Sequence, residues 1–81
     1  MHYVVSCDSA EFFEQKHRVL AVKHSFEEAE VVFRARVELE RSGLEERGWT
    51  IFCDTANTFD CGIDGDYDCA HVLVWIAEVE E

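Results

Sequence analysis

The stretch "HSFEEAEVVFRARVELERSG", residues 24–43, determines the fold that we expect for this chain of 81 residues. Ser25 followed by Glu28 is typical of a capping box, in which each side chain accepts a hydrogen bond from the other residue's backbone N–H. Gly43 fits the left-handed position that follows a helix, with Leu44 available to fold back on the last turn. At about 100° per residue, one stripe of the helix is apolar. It comprises Phe26, Ala29, Val32, Phe33, Val37 and Leu44, flanked by Leu39. We expect an amphipathic helix of about five turns that packs against a flat partner.

Four runs rich in branched and aromatic residues supply that partner. They are "HYVVSC" (2–7) and "HRVLAVK" (17–23) before the helix, and "WTIFCD" (49–54) and "AHVLVWIAEV" (70–79) after it. The connection between the first two is too short for a parallel crossover, so these strands should pair antiparallel. The last run is apolar on both faces and predicts an inner strand, while "RVLAVK" fits an edge. We expect a single α+β domain over residues 1–81, with one helix packed on a mostly antiparallel four-stranded sheet in the order ββαββ.

The composition is that of a folded chain. Apolar residues make up 48% of the sequence and aromatic residues 12%, whereas disordered segments lack the side chains needed for a core. The start of the chain has no basic segment followed by an apolar run. The longest apolar run near the other end, Val72 to Ala77, is far shorter than the ~20 residues that span a bilayer. We therefore expect a cytoplasmic protein with no membrane segment, in which the four cysteines are free thiols.

Negative charge is concentrated in the last third of the chain. Residues 1–52 contain all seven Lys and Arg together with ten acids, whereas residues 53–81 contain eight acids and no base. Within that segment, "FDCGIDGDYDCAHV" (residues 59–72) holds four aspartates, two cysteines and a histidine. The net charge of −11 exceeds the magnitude of about 2 to 8 that solubility usually requires of a small domain. The stretch is therefore a candidate for a metal site, a reactive thiol or a binding surface.

The metal interpretation fails on spacing. An EF-hand loop that starts at Asp64 has Cys69 where the glycine belongs and Trp75 at the closing position, and one that starts at Asp60 closes on His71. The cysteine spacings do not match a C-x2-4-C zinc knuckle. We expect no metal and no cofactor. A weak calcium site of another kind, and a small metal-binding domain, remain alternatives.

Catalysis is also disfavoured by the residue pattern. A reactive thiolate needs neighbouring positive charge or a helix N-terminus, and residues 53–81 offer carboxylates instead. The chain has no glycine-rich phosphate loop and no nucleophile elbow. We expect a protein that is not an enzyme.

The acidic stretch fits a binding surface for a basic partner. Direct contact with nucleic acid would need clustered Lys and Arg, which the chain lacks outside "KHRVLAVKH" (16–24). Carboxylates along a loop instead resemble duplex DNA, which carries one charge per ~1.7 Å of axis. We expect the contact at Asp60, Asp64, Asp66, Tyr67 and Asp68, with Phe59 and Trp75 as further aromatic anchors. An interaction or assembly module with another partner, such as a weak dimer formed through a strand edge, is the alternative.

In size, charge, ββαββ order and the helix "SFEEAEVVFRARVELERSG", the chain resembles small acidic proteins of phages and mobile elements, notably anti-CRISPR proteins. This resemblance covers the whole chain and includes no signature motif. It implies an inhibitor that docks on a host nucleic-acid-binding machine, such as a CRISPR surveillance complex. In some members of this class, the inhibitor blocks target DNA by imitating its charge. The expected partner is thus a host protein with a basic surface, bound by a monomer or weak dimer.

Overall fold

The computed structural model describes residues 1–80, which form a five-stranded antiparallel sheet with one long helix across one face. The elements are β1 (His2–Glu11), β2 (Glu14–Lys23), α1 (Phe26–Arg41), α2 (Leu44–Arg47), β3 (Thr50–Asp54), β4 (Thr58–Gly62) and β5 (Ala70–Val79). The strand order is β2-β1-β5-β4-β3, and every neighbouring pair is antiparallel. The antiparallel β1–β2 pair, the inner position of β5 and the edge position of β2 are confirmed.

The expected four-stranded sheet with the order ββαββ is wrong. A fifth strand, β4, lies between the predicted strands 49–54 and 70–79, where a loop was expected. It follows a tight turn in which the Thr55 N–H donates to the Thr58 carbonyl over 2.8 Å. Its backbone runs very close to β5, since a Cβ on Gly62 would lie 2.6 Å from the Ala70 carbonyl oxygen. Glycine at this position therefore permits the close pairing of the two strands.

Helix α1 begins as predicted but ends differently. The Ser25 hydroxyl accepts a hydrogen bond from the Glu28 N–H over 3.2 Å. Gly43 is not left-handed, because its φ is −100° and the chain continues into α2. The left-handed glycine that ends the helical segment is Gly48, which follows α2 and has a φ of 70°.

The short helix α2 is tied to α1 by a buried carboxylate. Glu40 contacts Arg36 over 2.9 Å and Arg47 over 3.1 Å, and its side chain is only 6% exposed. Arg47 also lies over the Trp49 ring, 4.8 Å from its centroid. Leu44 turns inward and joins the core, which explains why the chain does not leave the helix at residue 43.

The core lies between α1 and one face of the sheet. Its side chains are Val5, Cys7, Ala29, Phe33, Val37, Leu44, Phe59, Cys61, Val72, Val74 and Ile76. In β5, every second residue points into this core, and the alternate residues, such as Leu73 and Trp75, are half-buried on the opposite face. Leu39 is 61% exposed, so it contributes little to the apolar stripe.

The opposite face of the sheet, called here the open face, carries the features relevant to function. No helix within residues 1–80 packs on it, since the core elements all lie on the other side. The β1–β2 connection is a tight hairpin whose Phe12 has a φ of 54°. Across the same part of the chain, neither helix has the length and apolar character needed to cross a membrane.

Candidate functional site

The connection between β4 and β5, residues 63–69, is held in a defined shape by backbone hydrogen bonds. The Asp66 N–H donates to the Ile63 carbonyl over 3.0 Å, and the Cys69 N–H donates to the Asp66 carbonyl over 3.1 Å. Gly65 adopts a φ of 83°, which a residue with a side chain rarely does. From the far hairpin, the Phe12 N–H donates to the Cys69 carbonyl over 2.6 Å. The connection is therefore an ordered part of the fold.

Tyr67 is the centre of this connection and is fixed on several sides. Its hydroxyl donates to Asp60 Oδ1 over 2.8 Å. Its ring stacks on His71 with centroids 4.1 Å apart, and the edge of Phe52 lies 5.8 Å away. Nδ1 of His71 is 2.8 Å from the Tyr67 carbonyl, which can only accept, so His71 is the donor. The aromatic side chain is thus held in place without a ligand.

Four carboxylates surround Tyr67 without cationic partners. Asp64, Asp66 and Asp68 are exposed, and Asp60 is half-buried. None of the four forms an ion pair with any residue between 1 and 80, whereas the nearby Asp54 is paired with Arg41 over 2.8 Å. We define the acidic surface as Asp60, Asp64, Asp66, Tyr67 and Asp68. Its negative charge is left for solvent or for a partner to neutralise.

Next to Tyr67 the acidic surface forms a shallow depression of about 570 Å³. The lining residues are Phe52, Asp60, Gly65, Asp66, Tyr67 and Asp68. An open hollow with aromatic and carboxylate walls can receive a cationic side chain, because the carboxylates supply charge and the aromatic groups supply contact area.

The thiols near the acidic surface are kept protonated. A hydrogen bond to Asp66 raises the pKa of Cys69, and burial raises the pKa of Cys61 to about 11. The pKa of Tyr67 is also raised, first by burial and then by its hydrogen bond to Asp60. These groups act as neutral donors at physiological pH, so the arrangement offers no activated nucleophile.

Within residues 1–80, no group of three or more His, Cys, Asp and Glu side chains is arranged to hold a metal ion. Cys7 and Cys53 lie on β1 and β3, with two strands between them. All four cysteines are free thiols in this structure.

The structure places most of the expected contact residues together and excludes Phe59 from the contact surface. Asp60, Asp66, Tyr67 and Asp68 line the same depression, and Asp64 is exposed beside it. Phe59 cannot serve as an anchor because it is fully buried in the core. Trp75 is half-buried on the open face, where its ring lies 5.9 Å from the ring of His17.

Sequence reasoning missed Phe52, which is 44% exposed and lines the depression. The available signal was an aromatic residue in a strand that ends next to acidic residues. That signal is weak, because Phe52 sits at an irregularity in the pairing of β3 with β4.

A second cluster of polar side chains on the open face, Asp8 and His17, is hydrogen-bonded within the protein. Nδ1 of His17 is hydrogen-bonded to Oδ1 of Asp8, and together with His71 they line a hollow of about 510 Å³. Lys16 lies at the same hollow. Asp8 therefore has nearby partners that the aspartates of the acidic surface lack.

Comparison of the chain with protein-family models, with curated proteins and with solved structures found no match in any of the three. The functional argument therefore depends on the geometry and charge of this site.

Proposed function

We propose that this protein is a non-enzymatic inhibitor that binds a basic surface of a cytoplasmic nucleic-acid-binding protein through its acidic surface. The observation that supports the proposal is the set of four aspartates without cationic partners around an already ordered tyrosine. A protein surface that binds nucleic acid is rich in Lys and Arg, so it presents the complementary charge.

Charge would act mainly on the rate of encounter. A net charge of −11 on 81 residues attracts a basic partner over a distance comparable to the Debye length, about 10 Å at 0.1 M salt. The exposed Asp64, Asp66 and Asp68 add a local field at the contact. Such groups raise the association rate and make it sensitive to salt.

Tyr67 would act mainly on the lifetime of the complex. Its ring is held by His71 and Phe52 before any partner binds, so little side-chain freedom is lost on binding. Ordered aromatic residues at the centre of a charged surface are typical of the positions that dominate binding energy.

Within this class of partner we propose a CRISPR surveillance complex, on the basis of the resemblance to anti-CRISPR proteins. The position of the basic strand β2 supports a role in charge mimicry. It lies at the sheet edge opposite to β3, so its Lys and Arg do not interrupt the acidic surface.

The experiment compares two variants with the same change in net charge. In the first, Asp60, Asp64, Asp66 and Asp68 become Asn. In the control, Glu27, Glu45, Glu46 and Glu80 become Gln, all of which are exposed and outside any ion pair within residues 1–80. Association with a purified CRISPR surveillance complex is followed at about 50 and 300 mM salt, a range over which screening changes strongly.

The Asn variant should associate more slowly, depend less on salt and leave more target DNA bound to the complex than the Gln control does. Tyr67→Ala should instead accelerate dissociation. Equal rates and salt slopes for the Asn and Gln variants would contradict the assignment of the contact to the acidic surface.

A further inference from the structure

Strand β2 is a long, open edge. Among residues 1–80 it pairs only with β1, so every second residue directs its N–H and C=O groups away from the sheet. It has 10 residues, and all of Glu14–Val19 is exposed. Open edges of this length are usually shortened or covered, because they accept additional strands.

Two basic side chains of β2 have no ion-pair partner within residues 1–80. Although the chain has 18 acids for seven Lys and Arg, Arg18 and Lys23 form no ion pair with any residue from 1 to 80, and both belong to β2. The paired bases are Lys16, Arg34, Arg36, Arg41 and Arg47. The contact of Lys16 with Glu14, at 3.8 Å between two exposed side chains, is weak.

The two faces of β2 differ in chemistry. Arg18 is paired with Cys7, a core residue, so it lies on the helix side, where it lines a small groove of about 150 Å³ together with Lys16 and Arg36. Val19 is paired with Ser6 on the open face and is 56% exposed. On the helix side, a ligand strand along this edge would meet Lys16 and Arg18 beside Glu14. On the open face it would meet Val19 together with the polar Gln15 and His17.

We propose that β2 binds an extended acidic segment of a partner protein as a sixth strand of the sheet. Backbone hydrogen bonds to β2 hold the segment, its carboxylates contact Lys16 and Arg18, and its alternate apolar side chains contact Val19. The register shift that leaves Leu20 unopposed interrupts the edge, so the pairing covers Glu14–Val19. The ligand is therefore a segment of about six residues in which acidic and apolar side chains alternate.

The acidic surface does not prevent this binding. Asp60 lies on β4, three strands from β2, which is ~14 Å at ~4.8 Å per strand. That distance exceeds the Debye length of about 8 Å at physiological salt, so repulsion from Asp60 is weakened at β2. The β4–β5 connection comes closer, since the Phe12 N–H of the β1–β2 hairpin donates to the Cys69 carbonyl, and the proposed contact therefore lies further along β2, at Lys16, Arg18 and Val19.

A second copy of the chain fits this edge less well than an acidic segment does. Antiparallel pairing of two β2 strands about His17 would place Lys16 of one copy opposite Arg18 of the other, and like charges across neighbouring strands are unfavourable. Two copies with a net charge of −11 each also repel.

The test uses the full chain and a fluorescent peptide of about eight residues that alternates Glu and Val. Anisotropy measures affinity, and amide hydrogen exchange by NMR measures protection of residues 14–19. Arg18→Glu should weaken binding by about fivefold or more, since the inversion replaces an attraction with a repulsion. Arg34→Glu, the same inversion on an exposed helix residue, should leave the affinity unchanged. Circular dichroism confirms that both variants are folded.

We expect the peptide to protect the outward amides of residues 14–19, and a peptide with Lys in place of Glu not to bind. Binding without protection would overturn strand addition, as would failure to bind. Equal losses in the Arg18 and Arg34 variants would overturn the placement of the contact. Sedimentation of the free protein as a dimer that Arg18→Glu dissociates would assign the edge to a second copy and overturn the proposal.

Discussion

The Tyr67 hydroxyl donates a 2.8 Å hydrogen bond to Oδ1 of Asp60, and this bond joins the β4–β5 connection to strand β4. Asp60 is paired across the sheet with Leu73 on the inner strand β5, so its position is set by the sheet. The bond therefore places an aromatic ring and a carboxylate side by side on a rigid element. A binding site built in this way needs little rearrangement when a partner arrives.

The bond predicts a loss of stability when the hydroxyl is removed. Tyr67→Phe should lower the free energy of unfolding by about 1 to 2 kcal/mol, because a hydrogen bond to a charged acceptor is lost from a partly buried position. Tyr3→Phe is the control, since within residues 1–80 the Tyr3 hydroxyl is hydrogen-bonded only to the Met1 sulfur, at 3.5 Å. Urea unfolding measures both. A Tyr3 variant that loses as much stability as the Tyr67 variant would contradict the role of the bond.

Alkaline pH should remove the same contribution. The pKa of Tyr67 is raised in the folded protein by burial and by Asp60, so the folded state keeps its proton after the unfolded chain begins to lose it near pH ~10. The contribution is fully present below that pH and decreases as the pH rises further. The difference in unfolding free energy between the natural protein and Tyr67→Phe should therefore shrink between about pH 8 and pH 11. A difference that grows over this range would refute the assigned direction.

The buried carboxylate of Glu40 should be important for stability. Glu40→Ala should cost about 3 kcal/mol, because it leaves Arg36 and Arg47 without their shared partner at the core boundary. Glu38→Ala in the same helix should cost less than about 0.5 kcal/mol, since Glu38 is 75% exposed and 3.7 Å from Arg41. Thermal and urea unfolding of the two variants make the comparison, and similar losses would show that Glu40 has no special role.

The thiols should react in two groups. Cys7 and Cys61 are buried and their pKa values are raised, so they should react with a thiol reagent only after unfolding, whereas Cys53 and Cys69 are half-exposed and should react in the folded protein. Asp66→Asn should accelerate the reaction of Cys69 several-fold, because Asp66 raises the pKa of Cys69 through a hydrogen bond. Asp64→Asn removes the same charge but no hydrogen bond to Cys69. An equal acceleration in this variant would show that the hydrogen bond between Asp66 and Cys69 is not the cause.

The long helix and the two central strands were accessible from the sequence because their signals are local. Ser25 caps α1, and the apolar run of β5 is long enough to identify an inner strand of the sheet. The strand β4 was missed because it has only five residues, including Asp60 and Gly62, both of which are disfavoured in strands. Its assignment depends on pairing with β5, which a single sequence does not reveal.

The acidic surface was predictable in composition but not in geometry. The clustering of aspartates in residues 59–72 is visible in the sequence, whereas the contact of Tyr67 with Asp60 exists only because β4 is a strand. For the same reason Phe59 was misjudged as an anchor, since the alternation of β4 turns it into the core. The sequence does not show that Arg18 and Lys23 of β2 form no ion pair within residues 1–80, because this depends on the contacts of the acids with the other bases.

The pairing of β1 with β5 affects how the protein folds. This central ladder joins His2 to Val79, so the sheet cannot close until residue 79 has left the ribosome. Until then both edges of the β1–β2 hairpin are unpaired, so the hairpin can bind chaperones or aggregate. Because the β1–β5 ladder joins strands that are distant in sequence, refolding should take milliseconds to seconds. With no proline in the chain, that refolding should lack a phase limited by prolyl isomerisation.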